Sequence, residues 1–163
     1  MYKIDKIDRE IIRLLMVDGR MSCADIARSL GNTSERSIRY RLDRLIKDQF
    51  IKISAVTNPT AFGYDVRADV FIEVEPGLVQ QVARKLVQYE IVSYLACSIG
   101  DRDISLQVVG HSNTEIYSFV TEVIGKVPGV RKTTTSIVPV ILKDVYDWHI
   151  PDSAVNEEKQ SNP

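Results

Sequence analysis

The sequence is poor in the residues that build metal sites, disulfide frameworks and membrane spans. Its 163 residues include two cysteines, two histidines and one tryptophan. Cys23 and Cys97 lie far apart in apolar surroundings without CxxC spacing, so we expect neither a disulfide nor a zinc site. No apolar run reaches the ~18 residues of a membrane span, and the first ten residues are charged where a signal peptide is apolar. We therefore expect a cytoplasmic protein with no membrane partner, no metal and no cofactor.

The chain also lacks an excess of charge of either sign, because 21 Lys and Arg residues balance 22 Asp and Glu residues. Such a balance argues at first sight against nucleic-acid binding. However, residues 1–58 carry twelve cations and eight anions, whereas residues 59–163 carry nine and fourteen. A basic front half favours a protein in which only one domain meets a polyanion. The alternative is chance, since a short segment with a small positive charge is common.

Three helices are predicted in the first 48 residues. Apolar residues recur at helical spacing from Ile4 to Leu15. Ser22 opens a short second helix that stops at Gly31, and a third helix begins after Ser34. Two short helices joined by a tight turn make a helix-turn-helix plan. Residues 50–56 are rich in β-branched side chains, which predicts a strand that would form a wing.

The third helix is the candidate for contact with double-stranded DNA. It carries five cations against two anions, and a helix of this width fits the major groove. The alternative is a charged face that is merely solvated, but the preceding turn and short helix favour DNA contact. The candidate contacts are Ser34, Arg36, Ser37, Arg39, Tyr40, Arg41, Arg44 and Lys47. Arginines suit guanine edges, and Arg28, Arg41 or Lys47 are candidates for phosphate contacts.

The remainder of the chain alternates between strand and helix patterns in the order βαββαβ, which is the ferredoxin-like plan. A hairpin at Gly100 joins two similar halves. We therefore expect an α+β protein with four segments: a winged helix-turn-helix over residues 1–58, a linker over 59–65, a ferredoxin-like domain over 66–150, and a disordered tail over 151–163. Ile, Val and Leu dominate both faces of several predicted strands, which predicts dimerisation through the open face of the sheet.

These features together resemble the Lrp/AsnC family of transcription regulators over roughly residues 4–143. The front half carries IDKIDREIIRLLMVDGRMSCADIARSLG, SERSIRYRLDRLIKDQFIK and NPTAFG. The back half carries SIGDRDISLQVVG, which is similar to the GDxD hairpin of the family, and VPGVRKTTTSIV followed by Lys143. The resemblance implies a winged helix-turn-helix joined to an amino-acid-sensing regulatory domain. It further implies sheet-mediated dimers that assemble to octamers, read pseudo-palindromic operators and bind a small effector between dimers.

The same resemblance implies an effector site at the hairpin and the neighbouring last strand. Its residues would be Gly100, Asp101, Arg102, Asp103, Thr133 and Thr135. The chemistry agrees, since exposed backbone N–H groups hold a carboxylate and an aspartate pairs with an ammonium group. The alternative is an ordinary hairpin whose aspartates bond their own backbone.

Two positions depart from the pattern of the family. Gln49 stands where a glycine usually ends the recognition helix, so a left-handed residue there would cost roughly 1 kcal/mol, or the helix ends differently. Arg102 stands where the loop often has an aromatic residue. It would place a cation beside the effector and favour an acidic or polar ligand, or it would form a salt bridge across an interface.

An enzyme on the same architecture is the alternative function, because siroheme decarboxylases resemble it. Such an enzyme needs basic residues, notably histidine, around a tetrapyrrole with several carboxylates. This chain offers only His111 and His149, and neither has a second ligand at metal spacing. No P-loop, GxGxxG motif or nucleophile–base pair is present. We therefore predict a regulator that is not an enzyme and has no catalytic residues.

Overall fold

The computed structural model describes residues 3–155, which fall into two compact units. The first unit runs to Val56 and takes in the chain again from Lys143, and the second unit is Thr57–Leu142. Among the described residues, no helix is long and apolar enough to cross a membrane.

Three helices build the first unit: α1 (Lys6–Val17), α2 (Cys23–Leu30) and α3 (Glu35–Lys47). Each begins at a side chain that caps its free N–H groups. Asp5 accepts from the backbone N–H of Asp8 at 2.8 Å and Asp8 accepts from that of Asp5 at 3.0 Å, which closes a capping box on α1. The hydroxyls of Ser22 and Ser34 accept from the backbone N–H groups of Asp25 and Ser37, which caps α2 and α3 without a reciprocal bond. The predicted helix-turn-helix is therefore confirmed.

The core of the first unit forms where the apolar stripes of the three helices meet. Its fully buried side chains come from all three helices, so no helix hides its apolar face alone. They are Ile11, Ile26, Ile38 and Leu45.

The predicted wing strand over residues 50–56 is wrong for the single chain. Residues 51–58 form neither helix nor strand, and Ile53 and Val56 are exposed. β-branched composition favours a strand only when a partner strand completes the hydrogen-bonded ladder. Within the described part of the chain, this segment pairs with no other strand.

A four-stranded antiparallel sheet builds the second unit, in the order β2-β3-β1-β4. The strands are β1 (Val66–Val74), β2 (Val92–Cys97), β3 (Ile104–Gly110) and β4 (Val130–Ile137). Helix α4 (Val79–Leu86) joins β1 to β2. Helix α5 (Asn113–Ser118), continued by a π turn at Phe119–Val123 and a 3-10 turn at Ile124–Lys126, joins β3 to β4. This order confirms the ferredoxin-like plan.

The two faces of the sheet differ in polarity. On β1, buried residues such as Val70 and Ile72 alternate with half-buried ones, and the buried set packs against both helices. The opposite face carries Asp69, Phe71 and Glu73 from β1. The expectation of apolar residues on both faces is therefore wrong, because the period of two sends every second side chain of β1 to a largely polar face.

The last strand is shorter than the sequence predicts. The Thr- and Val-rich pattern from Val130 to Leu142 predicts one strand over the whole stretch, but the strand ends at Ile137. Val138 still donates its N–H to the carbonyl of Arg67 at 2.8 Å. Pro139 follows and has no N–H to donate, so the ladder stops there.

The predicted disordered tail is also wrong for its first residues. Asp152–Ala154 forms a 3-10 turn, and Ile150 and Val155 pack against the core of the first unit. These two apolar side chains, spaced five residues apart, allow an otherwise polar segment to bury apolar surface against that core. Residues 156–163 lie outside the described residues.

Candidate DNA interface and effector site

An exposed stripe runs along α3 on the side opposite its buried residues. At 100° per residue, Arg36, Tyr40 and Lys47 share one face, whereas Ile38 and Leu45 point to the core. Arg36 and Lys47 are exposed, and Tyr40 keeps 66% of its surface accessible. This stripe therefore offers two cations and an amphipathic ring along one line of a helix.

Two further arginines of α3 are held by acids of the same helix. Arg39 donates to Glu35 at 2.6 Å, and Arg44 lies 3.7 Å from the carboxylate of Asp48. The hydrogen bond with Glu35 raises the pKa of Arg39, so this cation stays charged. Both arginines are partly or fully solvent-exposed, and pairs of this kind contribute little to stability. A phosphate can therefore replace the acid at small cost.

The first turn of α3 presents backbone N–H groups beside two serines. The hydroxyl of Ser34 accepts from the N–H of Ser37 at 3.2 Å and is itself exposed. Its own proton remains available to a phosphate oxygen, at the helix end where the backbone dipole favours an anion. Ser37 is half-buried and lies further from the exposed stripe.

Arg41 does not belong to the exposed face. Its guanidinium donates to Asp5 at 2.7 Å and to Asp8 at 2.8 Å, and the side chain is 22% exposed. Burial alone would lower the pKa of Arg41, but its hydrogen bonds with the two carboxylates outweigh burial and raise it. The predicted DNA contact by Arg41 is therefore replaced by a structural role: it ties α3 to the first turn of α1.

The helical wheel explains why Arg41 turns inward. It lies about 40° from Leu45 and about 60° from Ile38 around the helix axis, next to the buried stripe. A cation at that position is desolvated and needs acids nearby. Asp5 and Asp8 lie at the start of α1, where acids favour the helix dipole, and their spacing of three residues gives no sign of a partner on another helix.

Arg28, the remaining candidate for a phosphate contact, is exposed on α2. It pairs with Asp25 of the same helix at 2.8 Å. The hydrogen bond from the Ser22 hydroxyl is the main reason that the pKa of Asp25 is lowered. The acid therefore stays ionised beside Arg28 at neutral pH.

The hairpin between β2 and β3 presents exposed side chains that include Ile99, Asp101 and Arg102. Gly100 has a φ of 146°, a backbone conformation that favours glycine over other residues. Ser98 closes the turn by donating its hydroxyl to the carbonyl of Arg102 at 3.1 Å.

Asp103 is committed to the fold. Its carboxylate accepts from the N–H of Val74 at 2.7 Å, and its own N–H donates to the carbonyl of Ile72 at 3.0 Å. The carboxylate thus provides a hydrogen-bond acceptor for the backbone of β1. The contact lies just beyond Glu73, where the pairing of β1 with β4 shifts by one residue. Of the two aspartates, Asp101 is the one whose carboxylate is exposed and open to a ligand.

The hairpin and Thr133 lie toward the same end of the sheet, and Thr135 lies two residues further along β4. The predicted effector residues fall on different faces of the sheet. Thr133 pairs with Ile72, so its side chain shares the helix-covered face. Thr135 pairs with Val70 on the same face. Arg102 instead lies over the ring of Phe71, 4.3 Å from its centroid, on the open face. Phe71 was not predicted, and its place in an alternating strand gave no sign of this contact.

The open face also carries an acid between two cations. Lys132 donates to Glu73 at 2.9 Å, and Arg131 lies 3.4 Å from the other carboxylate oxygen. Lys132 and, to a smaller extent, Arg131 lower the pKa of Glu73. Within residues 3–155, no group of three or more histidine, cysteine or acidic side chains is placed to hold a metal ion.

Both halves of the chain match models of known domain families. The model of the AsnC-type helix-turn-helix domain matches residues 4–46, and that of the Lrp/AsnC ligand binding domain matches residues 67–146. The chain belongs to the Lrp/AsnC family.

Relatives in this family are named as transcriptional regulators. An uncharacterized HTH-type transcriptional regulator of Pyrococcus horikoshii is 37% identical over 145 residues, which cover 88% of this chain and 91% of the relative. AsnC of E. coli shares the fold with a TM-score of 0.80 at 23% identity, over 89% of this chain and 99% of that one. A transcriptional regulator of Neisseria meningitidis, solved as an L-Met complex, has a TM-score of 0.80 at 19% identity, over 87% and 94%.

Membership of the Lrp/AsnC family decides between the two functions weighed from sequence. The chain is a DNA-binding transcription regulator with a ligand-binding domain, and nothing in the comparisons supports the siroheme decarboxylase alternative. The helix-turn-helix match ends at residue 46, so α3 lies within it almost to its last residue.

Proposed function

We propose that this Lrp/AsnC regulator reads its operator with the exposed stripe of α3. The observation that carries the proposal is that Arg36, Tyr40 and Lys47 lie on the exposed side of α3, opposite its buried residues. Helix α3 is the second helix of the helix-turn-helix. Arg36 lies in the first turn, where such helices touch base edges, and it makes no ion pair within the described residues. Lys47, at the far end, suits a phosphate.

Substitution of Arg36 tests this assignment. The Arg36→Ala variant should bind its selected duplex more weakly by about 1–3 kcal/mol and discriminate less at one base pair, because a bidentate contact with guanine is lost. Anisotropy titration against the selected duplex and a random one measures both effects. Arg20→Ala is the matched control, since Arg20 is an exposed arginine of the same unit outside α3. Equal losses on both duplexes would assign Arg36 to phosphate.

We further propose that the regulator is a cytoplasmic homo-oligomer, with dimers formed through the open face of the sheet and assembled further to octamers. Paired acids and bases such as Glu73 and Lys132, with Phe71 among them, give this face both polar and apolar contacts to offer. Two recognition helices of a dimer then reach the half-sites of a pseudo-palindromic operator. Native mass spectrometry distinguishes monomer, dimer and octamer directly.

The effector is proposed to be an amino acid bound between dimers, next to the hairpin at Gly100. Asp101 has an exposed carboxylate that suits an ammonium group, and backbone N–H groups of the turn suit a carboxylate. The L-Met complex of the Neisseria regulator is a reason to test amino acids first. Effector binding would change the packing of subunits and, by linkage, the affinity for DNA.

A thermal-shift screen of the twenty amino acids, followed by calorimetry, tests the effector site. Asp101→Asn should weaken the best ligand by about tenfold or more, because a charge-assisted hydrogen bond is lost. Asp65→Asn, which changes an exposed acid outside the hairpin, is the control. Arg102→Ala should change the preference for acidic over neutral amino acids. An unchanged preference would show that Arg102 does not influence the choice of ligand.

A further inference from the structure

The chain returns to the first unit after the sheet is complete. Residues 143–155, which we name the C-terminal arm, contain 3-10 turns at Val145–Asp147 and Asp152–Ala154 and belong to the unit of α1. A capping box fixes the start of the arm: Asp144 accepts from the N–H of Val145 at 2.6 Å, and Asp147 accepts from that of Asp144 at 2.9 Å. The arm is therefore locally ordered as well as docked.

Apolar and ionic contacts attach the arm to α1. Ile150 and Val155 pack against the core that α1, α2 and α3 share. Asp152 forms an ion pair with Arg9 of α1. Arg9 is only 29% exposed although it is charged, so the arm helps to cover its stem.

The helix that receives the arm also holds the recognition helix. Asp5 and Asp8 in the first turn of α1 bind Arg41 of α3, and Arg9 is the next residue along the chain. A shift of α1 therefore acts on α3 through a charged pair that tolerates little displacement, since Asp8 is fully buried. The arm and the recognition helix therefore contact neighbouring residues of α1: the arm pairs with Arg9, and α3 pairs with Asp5 and Asp8.

The arm is also continuous with the strand that carries two candidate effector residues. Strand β4 holds Thr133 and Thr135 and ends at Ile137, and five residues lead from it to the arm. The first unit is consequently joined to the second by two chain crossings, at residues 56–57 and 142–143. The chain therefore offers two covalent routes between the units instead of one.

We propose that the C-terminal arm is a second tether through which the ligand-binding unit acts on the DNA-binding unit. Docked on α1, the arm keeps α1 and α3 in the arrangement that binds DNA. Release of the arm loosens α1 and lowers DNA affinity. The transmission of an effector signal along this route rests on the effector site proposed above, whereas docking of the arm and its effect on DNA affinity do not.

The sole tryptophan of the chain, Trp148, lies in the arm and reports its docking. In the full-length protein, Ile150→Ala removes a side chain that packs on the core, whereas Val145→Ala shortens an arm residue that is 70% exposed. We expect Ile150→Ala to lower the fluorescence anisotropy of Trp148 and to weaken binding to the duplex selected by the wild type by at least about fivefold. Val145→Ala should change neither.

The affinity is compared at a temperature where circular dichroism shows all three proteins folded, because lost stability alone would leave affinity unchanged there. Unchanged anisotropy in Ile150→Ala would show that the arm is not docked through Ile150, and unchanged affinity would show that docking has no role in DNA binding; either result overturns the proposal. If the wild type selects no duplex, the proposed function fails, and the anisotropy still decides whether the arm is docked.

Cross-linking establishes that the arm acts within its own chain. Cysteines introduced by Arg9→Cys and Asp152→Cys, with Cys23→Ala and Cys97→Ser to remove the native thiols, are joined by a short bismaleimide. The expected product has the mass of one chain plus one linker, with both thiols consumed. A product with the mass of two chains would place the arm on α1 of a second copy and overturn a tether within one chain.

Discussion

Arg41 shows how the chemistry of a single residue type leads to two opposite roles. From the sequence, Arg41 is predicted to contact DNA as one of five cations of α3. In the structure it binds Asp5 and Asp8 inside the first unit. Its neighbours Arg39 and Arg44 remain at the surface with acids of their own helix. The difference lies in the angle around the helix, because Arg41 borders the buried stripe.

Replacement of Arg41 should therefore cost stability. Arg41→Met keeps the stem but removes the guanidinium from Asp8, a carboxylate with no exposed surface. We expect a loss of about 2–4 kcal/mol in the free energy of unfolding, slightly below the range for fully buried pairs because Arg41 is partly exposed. Urea unfolding measures it. Arg36→Met, on the exposed stripe, should leave the stability within about 0.5 kcal/mol of the wild type, and a similar loss in both variants would contradict the assigned roles.

Gln49 adopts a left-handed conformation, which is one of the two outcomes that the sequence left open. Its φ is 60°, with its N–H donated to the carbonyl of Ile46 at 3.1 Å at the end of α3. Gln49→Gly should raise the free energy of unfolding by about 1 kcal/mol, since glycine has no Cβ to clash in this conformation. Gln49→Ala retains the Cβ and should bring no gain. Thermal unfolding of the two variants side by side decides the point, and an equal response would show that strain at residue 49 is negligible.

At the scale of the elements, the contact between α1 and α3 makes the first unit sensitive to acid. Burial by itself would raise the pKa of Asp5, but hydrogen bonds from the Asp8 backbone and from Arg41 outweigh it, so the pKa is lowered. An acid with a lowered pKa in the folded state stabilises the protein above its unfolded pKa of about 3.9. That contribution disappears as the pH falls through the lower folded pKa.

The Asp5→Asn variant tests this pH dependence. It should be less stable than the wild type near pH 7, and the difference should shrink as the pH falls below about 4. Urea unfolding at a series of pH values gives the curve for each protein. Asp43→Asn, an exposed acid of α3, should follow the wild type throughout. A constant gap between wild type and Asp5→Asn would show that Asp5 acts through something other than its charge.

At the scale of the whole molecule, the net charge of −1 is the sum of a basic and an acidic part of the chain. The cations that could meet phosphates cluster on α3, whereas the sheet unit carries acids such as Asp101 and Glu73. Residues 1–56 carry an excess of four cations, which residues 143–163 of the same unit reduce to one, whereas residues 57–142 carry seven cations and nine anions. The phosphate backbone therefore attracts the three helices and weakly repels the sheet unit.

The salt dependence of DNA binding should reflect this division. Lys47→Ala should reduce the slope of log affinity against log salt by about 1, because one phosphate contact is lost. Lys126→Ala, which removes an exposed cation of the second unit, should leave the slope unchanged. Anisotropy titrations at several salt concentrations measure both slopes, and a reduced slope in Lys126→Ala would mean that the second unit also touches DNA.

Most of the architecture could be predicted from the spacing of apolar residues and from the residues that begin and end helices and turns. The three helices, their caps at Ser22 and Ser34, and the βαββαβ order are local properties, because capping and amphipathic spacing act within a few residues. The left-handed conformation of Gln49 was one of two outcomes that its place after the helix left open. The wing strand failed because a strand needs a partner, and the docked part of the tail failed because its apolar residues find their core on elements far away in sequence.

The sequence alone determined the three helices with their caps, the order of the four sheet strands, and that a basic helix follows a turn in a two-part chain of the Lrp/AsnC type. Only the tertiary structure decided that Arg41 faces two acids, that Asp103 belongs to the sheet, that Arg102 and Thr133 lie on opposite faces, and that the arm returns to α1. The physical reason is range: capping and periodicity depend on neighbours along the chain, whereas burial and ion pairing depend on residues that only folding brings together.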